Sequence, residues 1–312
     1  MMERAVSQTA PGARLVEVLK MTRSTLPMEI LVSTGSLPWL PLSARLQLIR
    51  EAGADGAELL LQRRPREREA KTIREISPES GLPVRTLHSL LRLRSVSPDI
   101  QAVDVESSAR LAAELPRCSI LVVHPPIGAE REQWTTVMRR IERSRPEHLR
   151  IGLETPGQHR RGQRPAPFDN LEFLVRYAEE WDLGIVFDTA HAASLGWDLQ
   201  AALALCLPRL VNVHLSDASD REWWIGFLNS IVRDHRCPGD GTLPLRQLLQ
   251  FLRDQGYRGF VTLELSPLAL FSLRRGSIVR VLQKAIAFVG EAIGEPAPGR
   301  SSPGREPPTR RR

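Results

Sequence analysis

Eight short apolar runs punctuate the chain, and segments whose apolar residues return every three or four positions separate most of them. The runs are Glu29–Ser33, Asp55–Leu61, Val84–His88, Ile120–His124, Leu149–Glu154, Ile185–Phe187 with Asp188 at its end, Leu210–His214 and Phe260–Glu264. Runs this short, rich in Ile, Leu and Val, read as buried strands. Helical spacing predicts helices over Leu42–Ala52, with Gly53 as its stop, and in an Arg/Glu-rich stretch ending near Gly81. Further helices are expected at about 100–115, 131–145, 170–181, 245–255 and 277–288, the fifth of these seven capped by Asp169 or Asn170.

Strands alternating with helices predict parallel βα units of the α/β class, and eight of them predict a single closed (β/α)8 barrel spanning residues 28–293. The alternative is an open doubly wound sheet. That fold ordinarily carries a glycine-rich phosphate turn after its first strand, and Ser33-Thr34-Gly35-Ser36 is neither GxGxxG nor a P-loop. Residues 1–27 show no sustained amphipathic pattern and read as a disordered leader or an over-extended gene start. Residues 294–312 contain five prolines and no apolar periodicity, and read as a flexible tail.

Seven of the eight runs end at or near a titratable side chain: Glu58, His88, His124, Glu154, Asp188, His214 and Glu264. In a parallel barrel the carboxyl ends of all strands meet at one mouth. Glu154, Asp188, His214 and Glu264 belong to the fifth to eighth strands, neighbours around that rim. Bare carboxylates gathered there repel one another, and a divalent cation neutralises them; the other reading is salt bridging within the mouth. Mixed oxygen and nitrogen ligation suits Mn²⁺, Mg²⁺, Co²⁺ or Zn²⁺.

Net charge changes little in this picture. Of the formal +7, residues 1–27 contribute +2 and residues 294–312 contribute +3, leaving +2 for the predicted barrel. A body so near neutrality carries no strong electrostatic footprint for nucleic acid. No apolar run approaches the roughly 20 residues of a membrane span, and the first residues lack the apolar core of a signal peptide. Three widely spaced cysteines, Cys118, Cys206 and Cys237, form no CxxC pair and fit a reducing cytoplasm, with only Cys237 lying near candidate ligands.

The segments GLETP, FDTAHAASLGWDL, NVHLSD, DHRCPGDG and TLELSP, in this order and spacing, resemble motifs of the xylose isomerase-like TIM-barrel superfamily. That superfamily includes sugar phosphate isomerases and epimerases and the endonuclease IV type of apurinic-site nuclease. Resemblance to its ketose 3-epimerases implies one metal held by Glu154, Asp188, His214 and Glu264. The metal would chelate a sugar carbonyl and hydroxyl while Glu154 and Glu264 exchange a proton through a metal-bound enediolate. His191 would then bind a substrate hydroxyl. Resemblance to the nuclease implies a three-zinc set and abasic DNA as substrate. His88, His124, Glu154, Asp188, His191, His214, His235 and Glu264 match eight of its nine ligands, but the ninth falls on Arg233, beside Asp234. The family also implies a homo-oligomer. A barrel used only for binding is a third class, against which all four core ligands are present.

Blander roles stand beside these. His88, His124 and His235 serve as additional metal or substrate ligands, or as simple hydrogen-bonding groups, and His191 as a ligand or a helix cap. Glu58 belongs to the site or pairs with an arginine, and Asp217 belongs to it or caps a loop. Trp223 and Trp224, with the loop 156–167, wall a pocket, or the tryptophans pack or form an oligomer contact.

Overall fold

The computed structural model describes residues 28–62, 70–90, 98–125, 131–157, 167–219, 234–270 and 274–294. Eight parallel strands close into a barrel in sequence order: β1 (Glu29–Ser33), β2 (Gly56–Leu60), β3 (Val84–His88), β4 (Ile120–Val123), β5 (Arg150–Glu154), β6 (Gly184–Asp188), β7 (Leu210–Leu215) and β8 (Phe260–Leu263). β8 returns to β1 with Leu31 opposite Thr262, so no sheet edge is left open. The open doubly wound alternative is thereby excluded. Observed strands agree with the apolar runs to within two residues at either end.

Alternation along each strand sorts side chains between two cores. One set, including Ile30, Val32, Leu59, Leu87, Leu121, Leu153, Ile185, Phe187, Val213 and Val261, packs outward against the helices. A second, smaller set fills the barrel itself: Leu31, Ile120, Val122, Val186, Val211 and Phe260. Val211 joins it because the pairing of β6 with β7 slips by one residue, from Ile185 opposite Leu210 to Val186 opposite Asn212. Glycine makes the room: a methyl group at Gly184 would lie 2.6 and 2.7 Å from the γ-carbons of Val211, and one at Gly152 would lie 2.6 Å from Val186 Cγ2.

Arg85 ties β3 to β1 across the intervening strand. Its guanidinium meets Glu29 in a two-point ion pair at 2.8 and 2.7 Å and lies over the Phe260 ring, 5.2 Å from its centroid. Above the apolar layer the interior turns polar, with Glu58, Thr86, Asn212 and Thr262 all fully buried. The titratable strand ends stand above that layer.

Departures from expectation include two helices. A short helix, Thr189–Ser194, starts directly at the end of β6, with the Asp188 carboxylate accepting the His191 amide N–H at 2.7 Å as its cap. The final helix, Arg275–Gly294, is longer at both ends than expected and includes Gly294, assigned from sequence to the tail. Val289 before Gly290, and Ala292 and Ile293 after it, stay buried, so packing carries the helix past a residue of low helix propensity. No helix among the described residues is long and apolar enough to cross a membrane. The expected leader and all of the tail after Gly294 lie outside the described residues.

Gly184→Ala is expected to lower unfolding free energy by about 1–3 kcal/mol through overpacking against Val211. Urea denaturation measures this, and an unchanged midpoint would show that the interior has slack at this level.

Candidate metal centre

Six of the eight strand ends, those of β3 to β8, each deliver one group to the mouth. Glu154 and Asp188 are the last residues of β5 and β6, His88 is the last of β3, and His214 is the penultimate residue of β7. His124 and Glu264 stand one residue beyond β4 and β8. Register places Asp188 directly opposite His214.

Glu154 is the hub. Its Oε2 lies 3.1 Å from both His88 Nε2 and His124 Nδ1, and its Oε1 lies 2.9 Å from His214 Nδ1 and 3.7 Å from His191 Nδ1. His214 Nδ1 is also 2.8 Å from Glu264 Oε2 and 4.0 Å from Asp188 Oδ2. Three sets of donor atoms result, each lying within 4.8 Å: His88, His124 and Glu154; Glu154, Asp188, His214 and Glu264; Asp188, His191 and His235. Glu154 joins the first two sets and Asp188 the last two.

The outer nitrogens of these rings are spoken for. His88 Nδ1 is 2.8 Å from the Ser89 carbonyl and His191 Nδ1 is 2.9 Å from the Thr155 carbonyl; a carbonyl only accepts, so each Nδ1 carries a hydrogen. His214 instead turns Nε2 to the Glu58 carboxylate at 3.0 Å. His88 therefore presents Nε2, and His214 presents Nδ1, to carboxylates at the centre. Two arrangements satisfy such a ring: a second proton, or a cation at the inner nitrogen.

In the chain without a cation, protons do this work. Burial opposes charge on His88, but the hydrogen bond and charge of Glu154, with Glu58 and Glu264, raise it to about 9. Burial likewise opposes charge on His214, and Glu58, Glu154 and Glu264 raise it well above the ordinary imidazole range. His191 is raised too, against burial, chiefly by Asp188 and Glu154. His124 goes the other way: burial, helped by His88 and His191, outweighs Glu154 and takes it down to about 4. Burial would raise Glu154, yet the charges of His124 and His214 and its hydrogen bonds hold it well below the usual carboxylate range. Glu264 falls to about 2 against burial, mainly because of His214, whereas burial raises Asp188. The mutual repulsion expected from sequence is thus relieved by imidazolium charge when no metal is bound.

The donor set fits a divalent cation on independent grounds. Asp188 Oδ2 is buried and makes no hydrogen bond, while Glu264 Oε2 has His214 Nδ1 at 2.8 Å, and both oxygens belong to residues of the four-residue set. An unsatisfied carboxylate oxygen among mixed oxygen and nitrogen donors is what a hard or borderline cation would complete.

The remaining expected residues divide. Among the described residues Glu58 pairs with no arginine; its hydrogen-bond partners there are Thr86, Asn212 and His214, below the mouth. Asp217 caps a loop: Oδ1 accepts from the amides of Ala218 and Leu243, at 2.9 and 3.0 Å, and Oδ2 from those of Gly239 and Gly241, at 2.9 and 3.0 Å. The Asp217 and Arg236 backbones pair as well, which pins His235 beside Ser216, Nδ1 to Oγ at 3.2 Å. His235 adopts φ of 55°, a left-handed conformation uncommon for a residue with a side chain. Trp223, Trp224, Arg233 and most of the loop 156–167 lie outside the described residues. Cys237 is no candidate nucleophile, since burial raises its thiol to about 11. Thr86, Asn212 and Ser216 were missed; the first two sit two positions before a candidate ligand, on the same strand face.

Comparison with known proteins gives the same family. An uncharacterised protein of Mycobacterium tuberculosis is 26% identical over 260 residues, which is 75% of this chain and 88% of that one. The Escherichia coli 3-keto-D-glucoside 4-epimerase superposes with a TM-score of 0.61 at 19% identity, covering 84% of this chain and 98% of that one. The Methylomonas D-allulose 3-epimerase, solved with D-allulose, superposes with a TM-score of 0.63 at 15% identity over 86% and 98% of the two chains. These likenesses are of fold. Residues 46–276 match the profile of the xylose isomerase-like TIM barrel, and the chain belongs to that family.

Proposed function

We propose that this chain is a divalent-metal-dependent isomerase or epimerase of a sugar or sugar phosphate, working by proton transfer at the carbon beside a carbonyl. The convergence of Glu154, Asp188, His214 and Glu264, with a buried Asp188 oxygen among them that makes no hydrogen bond, carries the reading. A divalent cation held by those four would supply the positive charge that acidifies a C–H next to a carbonyl. Glu264, whose side chain is 21% exposed while its partners in the set are at most 1% exposed, is the carboxylate that reaches a substrate and takes the proton. Glu154 is the second proton carrier. Its Oε2 backs onto His88 and His124, so a proton it gives up or receives is exchanged with an imidazole behind it. His191 faces the same mouth and binds a substrate hydroxyl. The two epimerases with this fold favour a keto-sugar as substrate, by analogy.

A second reading rests on a separate observation. Because Glu154 and Asp188 each join two donor sets, the mouth has donors for up to three ions, as a zinc phosphodiesterase of abasic DNA would need. Asp234 belongs to none of the sets found among the described residues, and the near-neutral body argues against a DNA partner.

Metal content of protein purified without chelator separates the two. The epimerase reading expects about one ion per chain, retained when His88 and His124 are both changed to Ala; two or three zinc ions, lost in that double variant together with abasic-site cleavage, would replace it.

For the epimerase, Glu264→Gln is expected to lower kcat at least roughly 10²-fold, within the range of general acid–base catalysis. Wild-type turnover in D₂O is expected to place deuterium on the substrate carbon. Product formed without label, while metal remains bound, would contradict proton exchange with solvent-accessible carboxylates.

Cation binding to the four-residue set must also displace the inner proton of His214, which the surrounding carboxylates hold well above the ordinary imidazole range. Affinity is therefore expected to rise with pH through neutrality and beyond the ordinary imidazole range. Calorimetry in buffers of different ionisation enthalpy counts the protons released, and none released near neutral pH would contradict displacement.

A further inference from the structure

Among the described residues, four acidic side chains are fully buried: Glu58, Glu154, Asp188 and Asp217. Glu154 and Asp188 are in the donor sets, and Asp217 is consumed by four loop amides. Glu58 is in none of these sets. It lies one layer below the mouth at 0% exposure, a position where a carboxylate is costly unless it is put to use.

Its contacts converge on one oxygen. Oε2 accepts from Thr86 Oγ1 at 3.0 Å and Asn212 Nδ2 at 3.4 Å, and faces His214 Nε2 at 3.0 Å. Asn212 is oriented in turn, its Oδ1 accepting from Thr262 Oγ1 at 3.0 Å. An Asn amide whose oxygen is occupied by Thr262 can offer Glu58 only its N–H. Side chains from β3, β7 and β8 thus aim one carboxylate oxygen of β2 at one nitrogen of His214.

We propose that Glu58 is a positioning residue for His214 as a metal ligand. By accepting the Nε2 hydrogen it fixes the ring's rotation and tautomer, and leaves Nδ1 as the donor facing Glu154, Asp188 and Glu264. The inference rests on the metal-dependent reading above and deepens it. His88 and His191 have their outer nitrogens held by neutral carbonyls, whereas His214 is held by a carboxylate, which makes its inner nitrogen the more basic donor. The four-residue set is therefore the tightest of the three, and a first cation enters there.

The test uses the full chain, stripped with chelator and titrated with Co²⁺, followed by calorimetry and by visible absorption. Glu58→Gln keeps size and an acceptor but removes the charge. It is expected to fold with an unchanged far-ultraviolet circular dichroism spectrum, to bind the first Co²⁺ about 10–100-fold more weakly and to shift its absorption bands. A dissociation constant within twofold of wild type, with the same bands, overturns the proposal. Should the variant fail to fold, wild-type protein labelled with ¹⁵N-histidine and loaded with Zn²⁺ decides: the resonances absent from His214→Gln must report hydrogen on Nε2 and none on Nδ1, and the opposite tautomer overturns the proposal. Wild type that takes up no Co²⁺ or Zn²⁺ would instead remove the metal-dependent function itself, and this inference with it.

Discussion

One carboxylate organises the mouth of this barrel. Glu154 meets three imidazoles within 3.1 Å and a fourth at 3.7 Å, on both of its oxygens and in a position almost closed to water. Each of those imidazoles comes from a different strand or from the residue or turn that follows one. The charge on Glu154 is stable there only because they surround it, and His88 holds its charge largely because Glu154 does, His214 because Glu58 and Glu154 do. Neither half of the arrangement is tolerable alone in a dry interior.

That mutual dependence places a demand on the fold. Donors from β3 through β8 arrive at one height only if every strand keeps its register, and closure of β8 onto β1 removes the free edge along which a strand could slip. The bulge at Val211 and the two glycines beneath it absorb the mismatch between a packed lower layer and a polar upper one. Outside the barrel, helices cover the sheet with aliphatic side chains, and among the described helices the short one after β6 brings His191 to the mouth.

Much of this was legible in the sequence for a simple reason. A buried parallel strand is short, apolar and bounded, and a titratable residue at its end stands out against it; Asp188 after Ile185-Val186-Phe187 is the plainest case. Relationships across the barrel were not legible. Glu58 and His214 are 156 positions apart on strands that do not pair, and their contact depends on strand tilt and stagger, which no local pattern encodes. In an arginine-rich chain an arginine partner for Glu58 was the natural guess. The short helix after Asp188 was missed because its cap and its strand end are one residue. The last helix, expected at about 277–288, runs on to Gly294 because Val289, Ala292 and Ile293 are buried, a tertiary contribution that local spacing does not show.

The Asp217 clasp has a consequence for how such a chain can change. It ties the end of β7 to the amides of Gly239, Gly241 and Leu243, so the described chain before residue 220 and after residue 233 is held together by contacts of its own. Lengthening a segment between two tied ends is cheap, about 0.6 kcal/mol for each doubling. Sequence and length between the tied ends are thus free to change while His214 on one side of the clasp and His235 on the other keep their places.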